Sequence, residues 1–409
     1  MKWESSAHSA CVTSEYLFHQ LIPYIGNKRK LLRLIHEAIL ASGASPETHL
    51  FIDLFAGTGV VSRLARKLGY AVIANDWEPY SEIINRCYLE NTRPPDFFHD
   101  QTYQEILDRL NALPGREDWV TRHLCPDHDE NFDISKDRMF YMRKNGLRID
   151  AIRHQIELWK NEGDLNKHQL AAVLAPLLYQ CCYNSNTSGV FKGFHNGWGG
   201  QTGTALYRIM GDLLLQPALF YDNGKASRVL CDDAFHVGAA LKDNIHQPVF
   251  IYLDPPYNQH PYGANYHVLN SVTLWDKPDL PPKITGRGSK AAIRKDWRTL
   301  RRSAYNYRGE AAKAYASLIR SLPDGAWVAT SYSTDGMIPL RDLIEANQTL
   351  GDTQLFMRAY KRYRVSSQRR SPRPLNIEFV LLTNIGAKPR LSVDDLTQSI
   401  LRQEAKILA

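Results

Sequence analysis

The stretch IYLDPPYNQH, residues 251–260, runs an apolar segment straight into an aspartate, two prolines and a tyrosine. Pro255 and Pro256 fix φ and carry no backbone N–H. With no donor of their own nearby, they leave the Pro255 carbonyl free to point outward beside the Asp254 carboxylate. Two acceptors side by side match an exocyclic amino group, which has two protons to donate. Tyr257 adds a flat face on which a base can stack. A plain turn would need only Gly, Asn or a single Pro. Asp254, Pro255, Pro256 and Tyr257 are therefore the candidates for handling a reacting amine.

Three other stretches could bind what that amine reacts with. DLFAGTG, Asp53–Gly59, places Gly57 and Gly59 where a strand turns into a helix. Glycines there let the backbone come close to a ligand at the carboxyl edge of an open α/β sheet, where nucleotides bind. The next helix lacks the Lys-Ser/Thr pair of a Walker loop. Acidic Asp53 also suits an amino group better than a pyrophosphate. In IANDWEP, Asp76 ends the following strand, about 20 residues on, the usual place for an acid that binds ribose hydroxyls; a helix N-cap is the plainer alternative. PYIGNKRK, residues 23–30, offers Gly26 for close approach, Lys28 to reach a carboxylate and Tyr24 to cover an apolar face.

These residues need a scaffold that brings strand ends together. HLFIDLFAGTGVVSRLARKLGYAVIANDWEP reads as strand, Gly-rich turn, helix and strand, a βαβ unit with parallel strands. A helix with Leu31, Leu32, Ile35 and Ile39 on one face precedes it, near residues 28–40. Strand patterns resume at SRVLCDDAF, PVFIYLDPPY, GAWVATSYS and NIEFVLLTN, with a helix near residues 310–322. Residues 91–224 differ in character, being helix-rich, polar and aromatic, with Gly and Asn bunched in YNSNTSGVFKGFHNGWGG. The expected architecture is one α/β Rossmann-like sheet domain, residues 1–90 and 225–409, interrupted by a mostly helical inserted domain at 91–224.

Bulk properties narrow the partners. The chain has 409 residues, 44% of them hydrophobic, and a mean hydropathy of -0.39. No apolar run approaches the ~20 residues of a membrane span. The first 20 residues lack the apolar block of a signal peptide, and six cysteines show no repeated spacing. Reduced thiols and a cytoplasmic location are expected. His123, Cys125 and His128 cluster without a partner group at zinc-finger spacing, so a polar loop and no metal are expected. Net charge is +7, but eight Lys or Arg and one acid lie between Arg287 and Arg308, and seven basic residues and no acid between Arg358 and Arg373. Such blocks suit a phosphate backbone, a solvated loop being the bland alternative. Lys290, Arg294, Arg298, Arg301, Arg302, Arg369 and Arg370 are the candidate contacts.

Taken together, the four stretches resemble the Dam-like N6-adenine DNA methyltransferases. Tyr24-x-Gly26-x-Lys28 looks like their N-terminal motif, Asp53-x-Phe55-x-Gly57-x-Gly59 like the S-adenosylmethionine loop, and Asp254-Pro255-Pro256-Tyr257 like the catalytic motif. An insertion before the catalytic motif is the order of the alpha group, whose insertion is the target-recognition domain. NYHVLNS and RRSAYN look closer to methyltransferases paired with restriction enzymes than to the housekeeping enzyme, and NSNTSGVFKGF is similar to a family loop near the recognition domain. The segment between the catalytic motif and Trp327 is longer than in the compact housekeeping enzyme.

The resemblance implies an adenine-specific DNA methyltransferase that uses S-adenosylmethionine on a specific double-stranded site, paired with a restriction endonuclease. It implies that Tyr24, Gly26, Lys28, Asp53, Gly57, Gly59 and Asp76 line the cofactor site. Phe55 or Trp77 would cover the cofactor's adenine, and Asp233, in CDDAF, would lie beside it. The target adenine would be flipped out of the duplex onto Tyr257, because a paired base cannot present its amine to a cofactor. Methylation of cytosine N4 is the nearest rival, although Ser is more usual there at position 254. A catalytically inactive DNA-binding module of the same fold is the rival from another class.

Overall fold

Strands buried on both faces are nearly continuous apolar runs, and LFID, apolar up to its final Asp53, and VFIYL have that composition. In the computed structural model, which describes residues 14–285, 289–361 and 375–408, they form β1 (Leu50–Asp53) and β4 (Val249–Leu253), neighbours at the centre of one sheet. The others are β2 (Ala71–Asn75), β3 (Ser227–Leu230), β5 (Trp327–Ser333), β6 (Gly351–Lys361) and β7 (Leu375–Ile385). Their order is β3-β2-β1-β4-β5-β7-β6. The first five run parallel and β7 is antiparallel to both β5 and β6. The parallel β1–β2 pair expected from the βαβ pattern is present. β6 was not expected as a strand.

Strand side chains alternate between faces, and the core divides accordingly. Phe51, Phe250 and Tyr252 join one apolar cluster, whereas Leu50, Ile52, Val249, Ile251 and Leu253 join the other. The first face carries α1 (Leu32–Ser42) and α2 (Val60–Lys67). Leu31, just before α1, and Leu32, Ile35 and Ile39 within it are buried, the stripe expected from their spacing, and Ala38 is buried with them. α3 (Pro79–Asn85) follows β2 with Pro at its start, where a missing N–H costs nothing. The second face carries α6 (Ala234–Asn244), α8 (Arg308–Arg320), α9 (Leu340–Gln348) and α10 (Val393–Leu408), packed in succession.

Between β2 and β3 the described residues form no strand. Two long helices dominate that stretch, α4 (Arg143–Glu162) and α5 (Lys167–Tyr183). α5 packs on α3 and on α7 (His267–Leu274), so the helical stretch shares the first face's core. Cys181 and Cys182 are buried in α5, as small core residues. No helix among the described residues is long and apolar enough to cross a membrane.

The sheet's strand order reverses between β1 and β4. At such a point the loops leaving the two strands turn to opposite sides and open a crevice at the carboxyl ends. Asp53 pairs in register with Tyr252. Asp254 therefore emerges on the same edge, just past the end of β4.

Candidate active site

The glycine loop is shaped by backbone angles that side chains resist. Gly57 has φ 51° and Gly59 φ 78°, and a Cβ at Gly57 would lie 2.9 Å from the Tyr24 ring. A Cβ at Gly59 would lie 2.2 Å from Asn85 Oδ1. The loop is tied to the end of β2, because Asp76 Oδ2 accepts from Gly57 N–H at 2.7 Å and Asp76 Oδ1 from Glu78 N–H at 2.9 Å. Burial raises the Asp76 carboxyl, and those backbone donors pull it back. Ser81 and Asn85 of α3 donate to Gly57 O at 2.6 and 3.1 Å.

Asp53 lies under the loop. Ser62 donates to its Oδ2 at 2.7 Å, while Oδ1 is buried without a partner among the described residues. Burial pushes this carboxyl up to about 7, against the Ser62 hydroxyl. A cation brought to Oδ1 would satisfy it.

The Asp254 corner is held by a residue 226 positions earlier in the chain: Lys28 Nζ sits 2.9 Å from Asp254 Oδ1, with the two side chains 4% and 18% exposed. The sequence reading gave Lys28 a carboxylate to reach, and in the structure Asp254 supplies one. Burial alone would lower the Lys28 ammonium's pKa, but Asp254 and then Glu378 hold it above the ordinary lysine value. Asp254 is raised by burial, with Lys28 opposing. Tyr257 presents its ring 5.2 Å from Lys28 Nζ and edge-on to Tyr332 at 6.0 Å. Met337 N–H donates to the Tyr257 carbonyl at 3.1 Å, whereas nothing among the described residues donates to that of Pro255.

The N-terminal stretch is clamped onto residues that follow the corner. Tyr24 stacks on both Tyr262 and Tyr266, each at 5.0 Å. Ile25 N–H donates to Tyr266 Oη at 2.8 Å, and Tyr262 Oη donates to Ile25 O at 3.0 Å. Gly26 has φ 77° and faces the Tyr262 and Tyr257 hydroxyls.

Between these walls lies a cleft of about 430 Å³, lined among others by Tyr24, Phe55, Asp76, Trp77, Asp233 and Asp254. A separate small pocket that shares Tyr24, Phe55 and Asp254 with the cleft is lined by Gly26, Lys28, Asp53 and Gly57. The expected cofactor residues thus converge, with Gly59 serving as N-cap of α2 beneath them. Asp233 lines the cleft, but its carboxylate also caps α6, accepting from Phe235 N–H at 2.8 Å. Among the cleft residues that sequence reasoning missed are Glu78, Phe235, Arg301 (read instead as a phosphate contact) and Tyr305. Glu78 follows Asp76 closely enough to have been suspected. Burial pushes its carboxyl up to about 7, against the amide of Asn270, which donates to Oε2 at 2.6 Å. Phe235 closes the CDDAF stretch quoted for Asp233, and Arg301 and Tyr305 lie in RRSAYN, a stretch that was given no place in the cleft.

The basic block fares unevenly. Arg294 is a correction: it is buried, paired with Asp276 at 2.6 Å and Asp296 at 2.8 Å, and cannot reach a phosphate. Arg302 pairs with Glu310 at 2.6 Å. Arg301 turns into the cleft and donates to Trp77 O at 2.9 Å. Arg298 and Lys290 are exposed, Lys290 reaching Asn196 Oδ1 at 2.6 Å across the Gly- and Asn-rich loop. Arg369 and Arg370 lie outside the described residues.

Residues 24–291 match the family model of the D12 class N6 adenine-specific DNA methyltransferase. The chain is 31% identical over 360 residues to Type II methyltransferase M.NlaIII of Neisseria lactamica, covering 88% of this chain and 97% of that one. It is 28% identical over 348 residues to Type II methyltransferase M.CviAII of Paramecium bursaria Chlorella virus 1, covering 84% and 93%. Type II methyltransferase M.FokI of Planomicrobium okeanokoites is 28% identical over 345 residues, covering 83% of this chain but 49% of that one. The chain therefore spans nearly all of two relatives and about half of the third.

Proposed function

The chain belongs to the D12 class N6 adenine-specific DNA methyltransferase family, and from that membership we propose that the Asp254–Tyr257 corner is where its target adenine is held. The enzyme methylates adenine N6 in DNA with S-adenosylmethionine as donor, and the family's specificity sets cytosine N4 aside. One observation carries the assignment of the corner. Asp254 stands at the end of β4, beside the end of β1, and lines the same cleft as the glycine-loop residue Phe55 and the acid Asp76. The acceptor of a methyl group and its donor would meet there.

The residues fit the cofactor. A cleft of about 430 Å³ is of the size that encloses a nucleoside-like ligand. Asp53 Oδ1, buried and unpartnered, suits the ammonium of the methionine part. Each Asp76 oxygen accepts one backbone N–H and keeps a second lone pair for a ribose hydroxyl. Phe55 and Trp77 offer faces for the adenine ring. When bound, the cofactor supplies an electrophilic methyl group on a sulfonium.

The chain's own residues then do the positioning. Tyr257 stacks the flipped base. Asp254 and the Pro255 carbonyl accept the two N6 protons, which turns the nitrogen lone pair out of conjugation with the ring and toward the donor. Pro256 stiffens the backbone of the corner. The carboxylate also stands ready for the proton that nitrogen sheds after transfer. Lys28 keeps Asp254 ionised and fixes its orientation. Orientation and exclusion of water supply most of the rate in such a site.

The stretch 91–224 is the proposed target-recognition domain, with Lys290 at its Gly- and Asn-rich loop and exposed Arg298 as phosphate contacts. The type II names of the relatives support pairing with a cognate restriction endonuclease, and a cytoplasmic location follows from that role. Asp254→Ala should abolish methyl transfer while leaving DNA affinity within about tenfold. A variant that still methylates would overturn the role given to the corner. Sequencing modified bases in the DNA of an expressing host reads out the target site.

A further inference from the structure

The segment between α7 and α8 crosses the mouth of the cleft and touches both of its ends. Tyr305 is buried and meets Phe55 edge-on at 5.3 Å and 88°, at the carboxyl end of β1. Arg301 Nη1 donates to Trp77 O at 2.9 Å, beside the acid that ends β2. Asn306 Nδ2 donates to Asn258 O at 2.8 Å, one residue past the adenine corner. Behind this line the segment is anchored by the buried Arg294 ion pairs. Residues 294–306 are thus a strap across the cofactor cleft.

Arg301 is the one strongly charged donor that the strap sends into the cleft. Its Nε–H is buried and has no partner among the described residues. A buried charge-assisted donor left without an acceptor is costly unless something fills the place. The neighbours of Arg301 are Trp77 and, by its charge, Glu78, both adjoining Asp76. That end of the cleft is where the proposed function places the adenosine half of the cofactor, and adenosine is rich in ring-nitrogen and ribose-oxygen acceptors. We infer that Arg301 is a cofactor-binding residue: it bridges Trp77 O and an acceptor on the adenosine part, rather than a DNA phosphate. The inference rests on the cofactor site proposed above.

Calorimetry with S-adenosylhomocysteine and with 5′-methylthioadenosine, which keeps only the adenosine half, separates the possibilities. Arg301→Met keeps the stem and removes the donors. It should weaken both ligands by about tenfold, the loss of one charge-assisted hydrogen bond, while the salt dependence of DNA binding keeps its slope. Arg301→Lys, which preserves charge and stem, guards against a folding defect. It should also weaken both ligands, because one ammonium cannot replace a fork that serves two acceptors. Unchanged ligand affinity in a folded variant, with the salt slope reduced by about 1, would assign Arg301 to a phosphate and overturn the inference. Loss for S-adenosylhomocysteine alone would also overturn it. If the unaltered enzyme bound neither ligand, the cofactor site itself would be wrong.

Discussion

Replacing Lys28 by Met tests the electrostatics of the corner directly. The ammonium sits 2.9 Å from Asp254 Oδ1, and it is the chief influence opposing the upward push of burial on that carboxyl. An opposite charge this close lowers a carboxyl pKa by about 1–3 units, which is about 1.4–4 kcal/mol between the two protonation states. Without it, burial and the nearby Glu378 carboxylate act unopposed, and the Asp254 pKa rises. The sign follows from the role of Asp254. Only the ionised carboxylate serves as the full-strength acceptor, so activity is lost as pH falls through its pKa. In Lys28→Met that loss must begin at higher pH, moving the acid limb of kcat/KM upward by about 1–3 units, with partial recovery on the alkaline side. Incorporation of a labelled methyl group into duplex DNA, measured from about pH 5 to about pH 9, follows the limb. An acid limb that stays in place or moves to lower pH, in a folded variant that still binds cofactor, would refute the reasoning.

Three further substitutions probe the loop and the DNA face. Gly59→Ala forces a left-handed residue costing about 1–2 kcal/mol, and its Cβ would lie 2.2 Å from Asn85 Oδ1. With overpacking added, urea unfolding should report a loss of about 2–4 kcal/mol, and a loss under about 1 kcal/mol would contradict the geometry. Arg298→Ala should lower the slope of log affinity for DNA against log salt by about 1. Arg302→Ala should leave it nearly unchanged, because its guanidinium is already engaged by Glu310; equal effects would undo the distinction.

The residues that were readable in the sequence are those that occupy strand ends. VFIYL is apolar throughout and LFID up to its closing Asp53, which marks them as central strands, and the acids and glycines at and beyond their ends fall on the crevice by necessity. β6 escaped notice because Gly351–Lys361 mixes Gly, Asp, Thr, Gln, Arg and Lys with its apolar residues, as an edge strand with one solvated face does. Pairings between distant positions were invisible. Nothing in the spacing joins Lys28 to Asp254, and a row of arginines looks the same whether it meets phosphates or, like Arg294, two nearby aspartates. Phe235 and Tyr305 wall the cleft from CDDAF and RRSAYN, stretches whose pattern does not say which side chain faces a ligand, and their place depends on how α6 and the strap pack.

The pairing of β1 with β4 has a consequence for how the chain acquires its activity. Leu50 aligns with Val249, so the two strands that bound the crevice are separated by roughly two hundred residues, including the whole helical stretch between β2 and β3. Ends so far apart meet late, after local helices and the β1–β2 unit have formed, because closing so long a loop has an entropic cost that only complete sheet pairing offsets. An immature chain would then own a glycine loop with no catalytic partner opposite. Turnover becomes a stringent report on whether maturation has finished, and a half-assembled molecule leaves the genome unmarked.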